Sequence, residues 1–341
     1  MSDELNKKLI VNNDENTVTS KITKEMDKTK VELLEICKCL GFTKYKSKNK
    51  SQLVELIQSK NADFKTVKIS KPVIVIDTPK KYLKPLIKWS GGKGDEIKQF
   101  EKYLPAEYDT YIEPFIGGGA LFFYLEPEKS VICDVHVELV DLYRCVGEGK
   151  SDEIYKFMEA HPNDEETYYN VRDTMIVSNP LDVASRFYYQ RKTCFRGMLR
   201  YNKHGKFNIP FGKYKTINYS DIQNKKYEIL LSKTEILNNS FEHVFENYNN
   251  ENNFMFLDPP YDSEFTDYGY CQFGKEEQKK LASLFKETKI KCLMVIGKTD
   301  FIVDLYKDYI VDEYEKKYKF KLYAGRVGDE INTKHLIIKN Y

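Results

Sequence analysis

The stretch NFMFLDPPYDSEF, Asn253 to Phe265, constrains this chain more than any other. Four apolar residues, Phe254–Leu257, run straight into an acid, two prolines and a tyrosine. A strand buried on both faces reads as such an unbroken apolar run, and that pattern belongs to parallel sheets covered by helices. Ligands of open α/β sheets bind outside the carboxyl ends of the strands, which puts Asp258 at the mouth of a cleft. Pro259 and Pro260 lock φ and carry no N–H, so the turn is stiff and nearby carbonyls are left to accept hydrogen bonds. A carboxylate, the Pro259 carbonyl and the flat ring of Tyr261 together suit an exocyclic amino group on a planar base. Two acceptors hold its two N–H protons, which draws the nitrogen lone pair out of conjugation.

The rest of residues 82–341 has the matching texture. Short apolar runs at Tyr111–Ile112, Val131–Cys133, Glu235–Leu237, Cys292–Ile296 and the closing HLIIKN alternate with helical stretches. This is the signature of an α/β domain with a mostly parallel sheet. Between 145 and 232 the pattern turns helical, aromatic and basic, which marks an insertion, with 82–144 and 233–341 forming the α/β domain on either side.

A second motif, DTYIEPFIGGGALFFYL (Asp109 to Leu125), reads as strand, glycine turn and helix, with the helix starting near Ala120. Glycines there let backbone approach a ligand, and a helix N-terminus offers free N–H groups. The next apolar run ends at Asp134, an acid placed to accept from ribose hydroxyls. The glycine spacing is not that of a dinucleotide fold, and no phosphate-binding lysine motif is present, so a nucleoside without phosphates is the expected ligand.

Residues 1–20 are polar and aperiodic, the composition of a disordered tail. Over 21–62, Val31, Leu33, Leu34, Cys37 and Leu40 predict one amphipathic helix, stopped by Gly41, and Leu53, Val54, Leu56 and Ile57 predict a second. Residues 21–60 hold ten lysines against five acids, although the whole chain is nearly neutral at +2. Two helices around a lysine-rich middle resemble a SAP module, a small helical DNA-binding unit. Residues 63–81 read as a linker, with a short edge strand at Val73–Ile76. The seven cysteines show no C-x-x-C spacing, which supports neither a zinc site nor a disulfide framework and fits a reducing compartment. No apolar run is long enough to span a bilayer and the N-terminus lacks a signal peptide, so the expected location is cytoplasmic, a viral replication compartment included.

LDPPY, EPFIGGG and the upstream PLIKWSGGKGDEI (Pro85 to Ile97) occur in an order that resembles the Dam-type, class α (D12) DNA adenine-N6 methyltransferases. The resemblance covers residues 82–341 and is densest in RGMLRYNKHGKFNIPFGKYK, Arg196 to Lys215, which looks like that family's target-recognition hairpin. It implies a Rossmann-like methyltransferase sheet with a helical target-recognition insertion, S-adenosylmethionine as cofactor and double-stranded DNA as partner. It implies no metal and no membrane, and leaves open a cognate restriction endonuclease and either a monomer or a weak dimer on DNA.

By position, the resemblance puts Trp89, Lys93, Glu113, Phe115, Gly117, Gly119, Asp134 and Asp258 at the cofactor, with Lys93 near its carboxylate or the catalytic turn. Asp258, Pro259, Pro260 and Tyr261 become the catalytic turn, acting on an adenine flipped out of the duplex. Arg196, Met198, Arg200, Asn202, Pro210, Lys213 and Tyr214 become DNA contacts, with Arg200 reading a guanine. The hairpin is similar to those of GATC-specific members, but Arg196 stands where Asn is expected, so GATC is a first reading and CATG or another short adenine-containing palindrome stays open. The closing segment carries His335 where the family has Glu, and His335 is read as structural. Two other readings compete: a catalytically inactive methyltransferase fold that binds DNA, and an RNA adenine methyltransferase.

Overall fold

The computed structural model describes residues 82–261, 273–318 and 331–341, the short stretches 321–323 and 326–327, and in the N-terminal region 47–62 with Lys30, Leu33, Leu34, Cys37, Phe42 and Tyr45. The predicted tail, the linker with its edge strand, and the segment after Tyr261 lie outside the described residues. The chain divides into two compact units, Met1–Thr78 and Pro79–Tyr341.

In the first unit, helix α1 (Lys50–Ala62) contributes Leu53, Val54 and Ile57 to a small core with Leu33, Cys37 and Tyr45. Leu33, Cys37, Leu53, Val54 and Ile57 of the apolar spacing read from the sequence pack here, with Leu34 and Leu56 against them, while Val31, Leu40 and Gly41 lie outside the described residues. Asn49 and Gln52 exchange side-chain to backbone hydrogen bonds at 3.0 Å in each direction across the start of α1, the reciprocal arrangement of a capping box.

The second unit is built on a seven-stranded sheet. In chain order its strands are β1 (Tyr111–Glu113), β2 (Ser130–Cys133), β3 (Thr234–Leu237), β4 (Phe254–Leu257), β5 (Lys291–Gly297), β6 (Ile310–Tyr318) and, after the small pair β7 (Lys321–Tyr323) and β8 (Arg326–Val327), β9 (Ile331–Lys339). The sheet order is β3-β2-β1-β4-β5-β9-β6. β1 to β5 pair in parallel, and β9 runs antiparallel between β5 and β6. The order reverses between β1 and β4, the switch point outside which open α/β sheets bind ligands.

Each central strand feeds two cores in alternation, as a period of two requires. Tyr111, Ile132, Phe254, Phe256, Leu293 and Val295 enter one core, while Ile112, Val131, Met255, Leu257, Met294 and Ile296 enter the other. All four residues of β4 are buried, which is why its sequence is apolar without interruption.

Helices cover both faces. They are α2 (Ile97–Phe100), α3 (Ala120–Leu125), α4 (Val137–Gly147), α5 (Ser151–Ala160), α6 (Glu165–Asp173), α7 (Pro180–Thr193), α8 (Lys225–Ser232), α9 (Phe241–Asn247), α10 (Lys275–Glu287) and α11 (Asp300–Tyr306). The helices of the insertion start where sequence rules place them: Asp164 caps α6, and Asn179 followed by Pro180 caps α7. Leu139, Leu142, Tyr143 and Val146 of α4 share one core with Phe187, Tyr188 and Tyr189 of α7, so the insertion is packed continuously onto the sheet.

Candidate active site

Asp258 follows β4 directly at the carboxyl edge of the sheet. The Lys93 ammonium lies 2.6 Å from Asp258 Oδ1 and 2.6 Å from the Tyr261 hydroxyl, and donates a third bond to the Gly91 carbonyl at 2.9 Å. Lys93 is 1% exposed. Burial raises the Asp258 pKa, and the Lys93 charge and hydrogen bond oppose that rise. A buried lysine with three acceptors is the arrangement that makes a buried cation tolerable. Of the two places expected for Lys93, its contacts are those of the Asp258–Tyr261 turn.

The turn itself is held from α10. Gln278 is 1% exposed, and its Nε2 donates to the Pro260 carbonyl at 2.7 Å. Nothing local in the sequence marks Gln278, which sits on an otherwise ordinary amphipathic helix.

The glycine turn follows β1. Gly117 (φ 45°) and Gly119 (φ 67°) are left-handed, a conformation glycine adopts without penalty. A Cβ on Gly117 would sit 2.6 Å from Trp89 Cδ1, and one on Gly118 would sit 3.0 Å from Trp89 Cβ. Gly117 and Gly118 therefore make room for Trp89, and Gly119 for Phe123 and Ile116. That explains why a tryptophan segment and a glycine turn appear together in one sequence.

Asp134 closes the turn from β2. Its Oδ2 accepts from Gly117 N at 3.0 Å and its Oδ1 from His136 N at 2.9 Å. Burial pushes its pKa up to about 6 against the pull of those N–H groups. Glu113 lies below, 2% exposed, accepting from the Tyr111 hydroxyl at 2.6 Å, and burial raises its pKa well above the ordinary range. Phe115 stacks on Phe241 at 5.4 Å and meets the Phe273 ring edge-on at 5.6 Å. Val135 is 50% exposed beside Asp134, an apolar surface that the sequence reading passed over.

The basic segment of the insertion is a hairpin. Cys194 bridges Phe211 and Tyr201 bridges Phe207 in antiparallel register. Asn202 Oδ1 accepts from the backbone N of His204 and Lys206, so Asn202 shapes the tip. Arg200 Nε donates to Asn208 Oδ1 at 2.8 Å, which fixes the plane of an exposed guanidinium. Arg196 (φ 58°) and Lys213 (φ 53°) are left-handed without being glycine, a strained conformation that projects both side chains outward. Met198 is exposed, the Pro210 carbonyl accepts from Phe195 N at 2.8 Å, and the Tyr214 ring lies against Gly212. All seven candidate DNA contacts thus share one hairpin, and the cofactor and catalytic candidates share the carboxyl edge of β1, β2 and β4. Among the described residues no group of three or more His, Cys, Asp or Glu could hold a metal ion, and no helix is long and apolar enough to cross a membrane.

This sheet order and edge define a Rossmann-like methyltransferase. A family model for the D12 class N6 adenine-specific DNA methyltransferases matches residues 89–322. The type II methyltransferase M.CviBI of Paramecium bursaria Chlorella virus NC1A is 62% identical over 261 residues, which is 76% of this chain and all of that protein. The type II methyltransferase M.MjaIII of Methanocaldococcus jannaschii is 31% identical over 291 residues, 76% of this chain and 99% of its own. A DNA adenine methylase of Haemophilus influenzae is 29% identical over 242 residues, 67% of this chain and 84% of its own. The chain belongs to the D12 class of N6 adenine-specific DNA methyltransferases. Membership implies DNA as substrate and S-adenosylmethionine as methyl donor.

Proposed function

We propose that this protein methylates the N6 amino group of an adenine flipped out of duplex DNA within a short palindrome, as a type II modification enzyme. The observation that carries the reading is Asp258: a carboxylate 20% exposed, at the switch-point edge, with a buried lysine on one oxygen. Asp258 accepts one proton of the target amino group, the Pro259 carbonyl accepts the other, and the Tyr261 ring stacks on the adenine. Lys93 favours the charged form of Asp258 against the effect of burial and holds the Tyr261 ring by its hydroxyl. Fixing these groups beforehand lowers the barrier by orientation and by preorganised charge.

The edge residues suit a cationic amino-acid nucleoside. Asp134 and Asp258 supply carboxylates, Phe115 and Trp89 supply half-buried rings, and Val135 supplies an apolar face for a purine. When bound, S-adenosylmethionine supplies an electrophilic methyl on a sulfonium sulfur. The hairpin from Arg196 to Tyr214 presents Arg200, Lys213, Met198 and the neighbouring basic residues to the grooves, with arginine suited to guanine O6 and N7. The lysine-rich N-terminal unit adds sequence-independent attraction to phosphates.

Transfer of labelled methyl from S-adenosylmethionine to duplex DNA and to RNA tests the reading. Wild type should label duplex DNA, and Asp258→Ala should lose about a hundredfold or more of that rate. Mapping the methylated bases in DNA from an unmethylated host reports the palindrome, with GATC and CATG among the outcomes. Label on RNA alone, or on neither, would sink the proposal.

A further inference from the structure

Glu96 and His335 form a buried pair that the reaction described above does not use. Glu96 is 4% exposed and His335 is fully buried. The Glu96 carboxylate is held by the antiparallel arm of the sheet. Its Oε2 accepts from the Tyr314 hydroxyl at 2.7 Å and lies 2.7 Å from His335 Nδ1, and its Oε1 accepts from Lys316 Nζ at 2.6 Å. Burial pushes the Glu96 carboxyl up, but the bonds from His335, Lys316 and Tyr314 outweigh it and bring it down to about 2. Such saturation marks a fixed anion, since a buried carboxylate persists only when its oxygens are satisfied.

Two features tie this cluster to the catalytic turn. Glu96 sits three residues after Lys93, and its N–H donates to the Lys93 carbonyl at 2.8 Å, so the anchored residue and the lysine belong to one turn. On the other side, the His335 ring meets the Tyr261 ring edge-on, 5.3 Å between centroids at 82°. A lysine side chain gives up rotamer freedom when held in one geometry. Its backbone must therefore be placed firmly for the ammonium to reach Asp258 and Tyr261 together.

We propose that Glu96 is a positioning residue: anchored by Tyr314, Lys316 and His335, it pins the Lys93 turn to the β6–β9 arm and so aims the Lys93 ammonium at Asp258 and Tyr261. His335 completes the device by bracing the Tyr261 ring. The kinetic consequence rests on the methyl-transfer reading above; the structural consequence does not.

The test therefore has two arms. In the first, the free full-length protein is treated with an amine-acetylating reagent, and modification of Lys93 is read by mass spectrometry against the exposed Lys98. Wild-type Lys93 should be protected. Glu96→Gln and Tyr314→Phe should each raise its labelling by about fivefold or more, the equivalent of losing a hydrogen bond of about 1 kcal/mol. In the second arm, kcat should fall by about tenfold in Glu96→Gln with the KM for DNA and for S-adenosylmethionine within about twofold, the pattern of an interaction that matters in the transition state. Adding Glu96→Gln to Lys93→Met should cause no further loss, because the glutamate acts through the lysine. Unchanged Lys93 labelling in both folded variants, or losses that multiply in the double variant, would overturn the proposal. If Glu96→Gln does not fold, Tyr314→Phe, which keeps every charge, decides both arms. A wild type that methylates no duplex DNA sinks the functional reading alone, and the labelling arm still settles the role of Glu96.

Discussion

The Tyr201 hydroxyl lies 2.8 Å from His136 Nε2, and this bond joins the basic hairpin to the glycine turn. His136 Nδ1 accepts from Leu139 N, which assigns the ring proton to Nε2 and makes Tyr201 the acceptor there. The Tyr201 O–H donates in turn to Glu138, which is also held by Arg186 at 2.9 Å. Through its own backbone N–H, His136 reaches the Asp134 carboxylate, which accepts from Gly117. One connected set of hydrogen bonds thus runs from the candidate DNA hairpin to the candidate cofactor turn.

Tyr201→Phe removes one hydroxyl from the hairpin side of that set. A net loss of about 1 kcal/mol per hydrogen bond predicts about fivefold weaker binding of S-adenosylmethionine, although Tyr201 belongs to the hairpin. Calorimetric titration of the folded variant checks this. Unaltered cofactor affinity would show that the hydrogen bonds do not couple the two parts.

Gly117→Ala should destabilise the fold through two effects at one atom. Its φ of 45° is unfavourable for alanine, and the new methyl would lie 2.6 Å from the Trp89 indole. Together these are expected to cost about 2–4 kcal/mol. In a Trp89→Ala background the steric part disappears, so the added cost should drop to about 1 kcal/mol. Denaturant unfolding of the four proteins gives both numbers.

Acid stability should reveal two buried groups of opposite sign. Burial pushes the His136 imidazole from 6.5 down to about 4, with Arg191 assisting and Glu138 opposing. His136 therefore adds stability above pH 6.5 that is lost as pH falls toward 4. Asp134 rises from 3.8 to about 6, so it adds stability below pH 3.8 that is lost as pH rises through 6. Each is worth about 3 kcal/mol at its limit, and the two nearly cancel in the wild type. His136→Gln leaves Asp134 alone. The melting temperature of wild type minus that of the variant should therefore grow between about pH 4.5 and about pH 6.5. A difference independent of pH would show that His136 is not held neutral.

Deleting residues 1–62 should weaken DNA binding and flatten its dependence on salt, because the lysine excess lies there. The kcat for methyl transfer should stay within about twofold, since catalysis is assigned to residues of the other unit. Filter binding over a salt series and single-turnover kinetics separate the two effects. A collapse of kcat would place the N-terminal unit in the catalytic machinery.

Much of the sheet was legible because burial on both faces leaves a chemical trace. Phe254–Leu257 reads as a strand and is one, since a strand covered by helices on both sides favours an unbroken apolar run. The glycine turn was legible too, because positive φ selects glycine. What occupies the space above those glycines was not, since Trp89 lies 28 residues from Gly117 and nothing local announces that they touch. Gln278 left no mark either: its bond to the Pro260 carbonyl spans 18 residues and depends on how α10 docks.

The sequence alone determined the α/β class, the order of the motifs and the residue types that meet in the Asp258–Tyr261 turn, because those follow from local rules of burial period, φ preference and side-chain type. Tertiary structure alone decided that Lys93 points at Asp258 and Tyr261, that Asp134 binds Gly117 and His136, and that Glu96 is saturated by Tyr314, Lys316 and His335. These are pairings between residues far apart in the chain, set by sheet order and by helix packing, and no local pattern encodes which distant partner a polar side chain will meet.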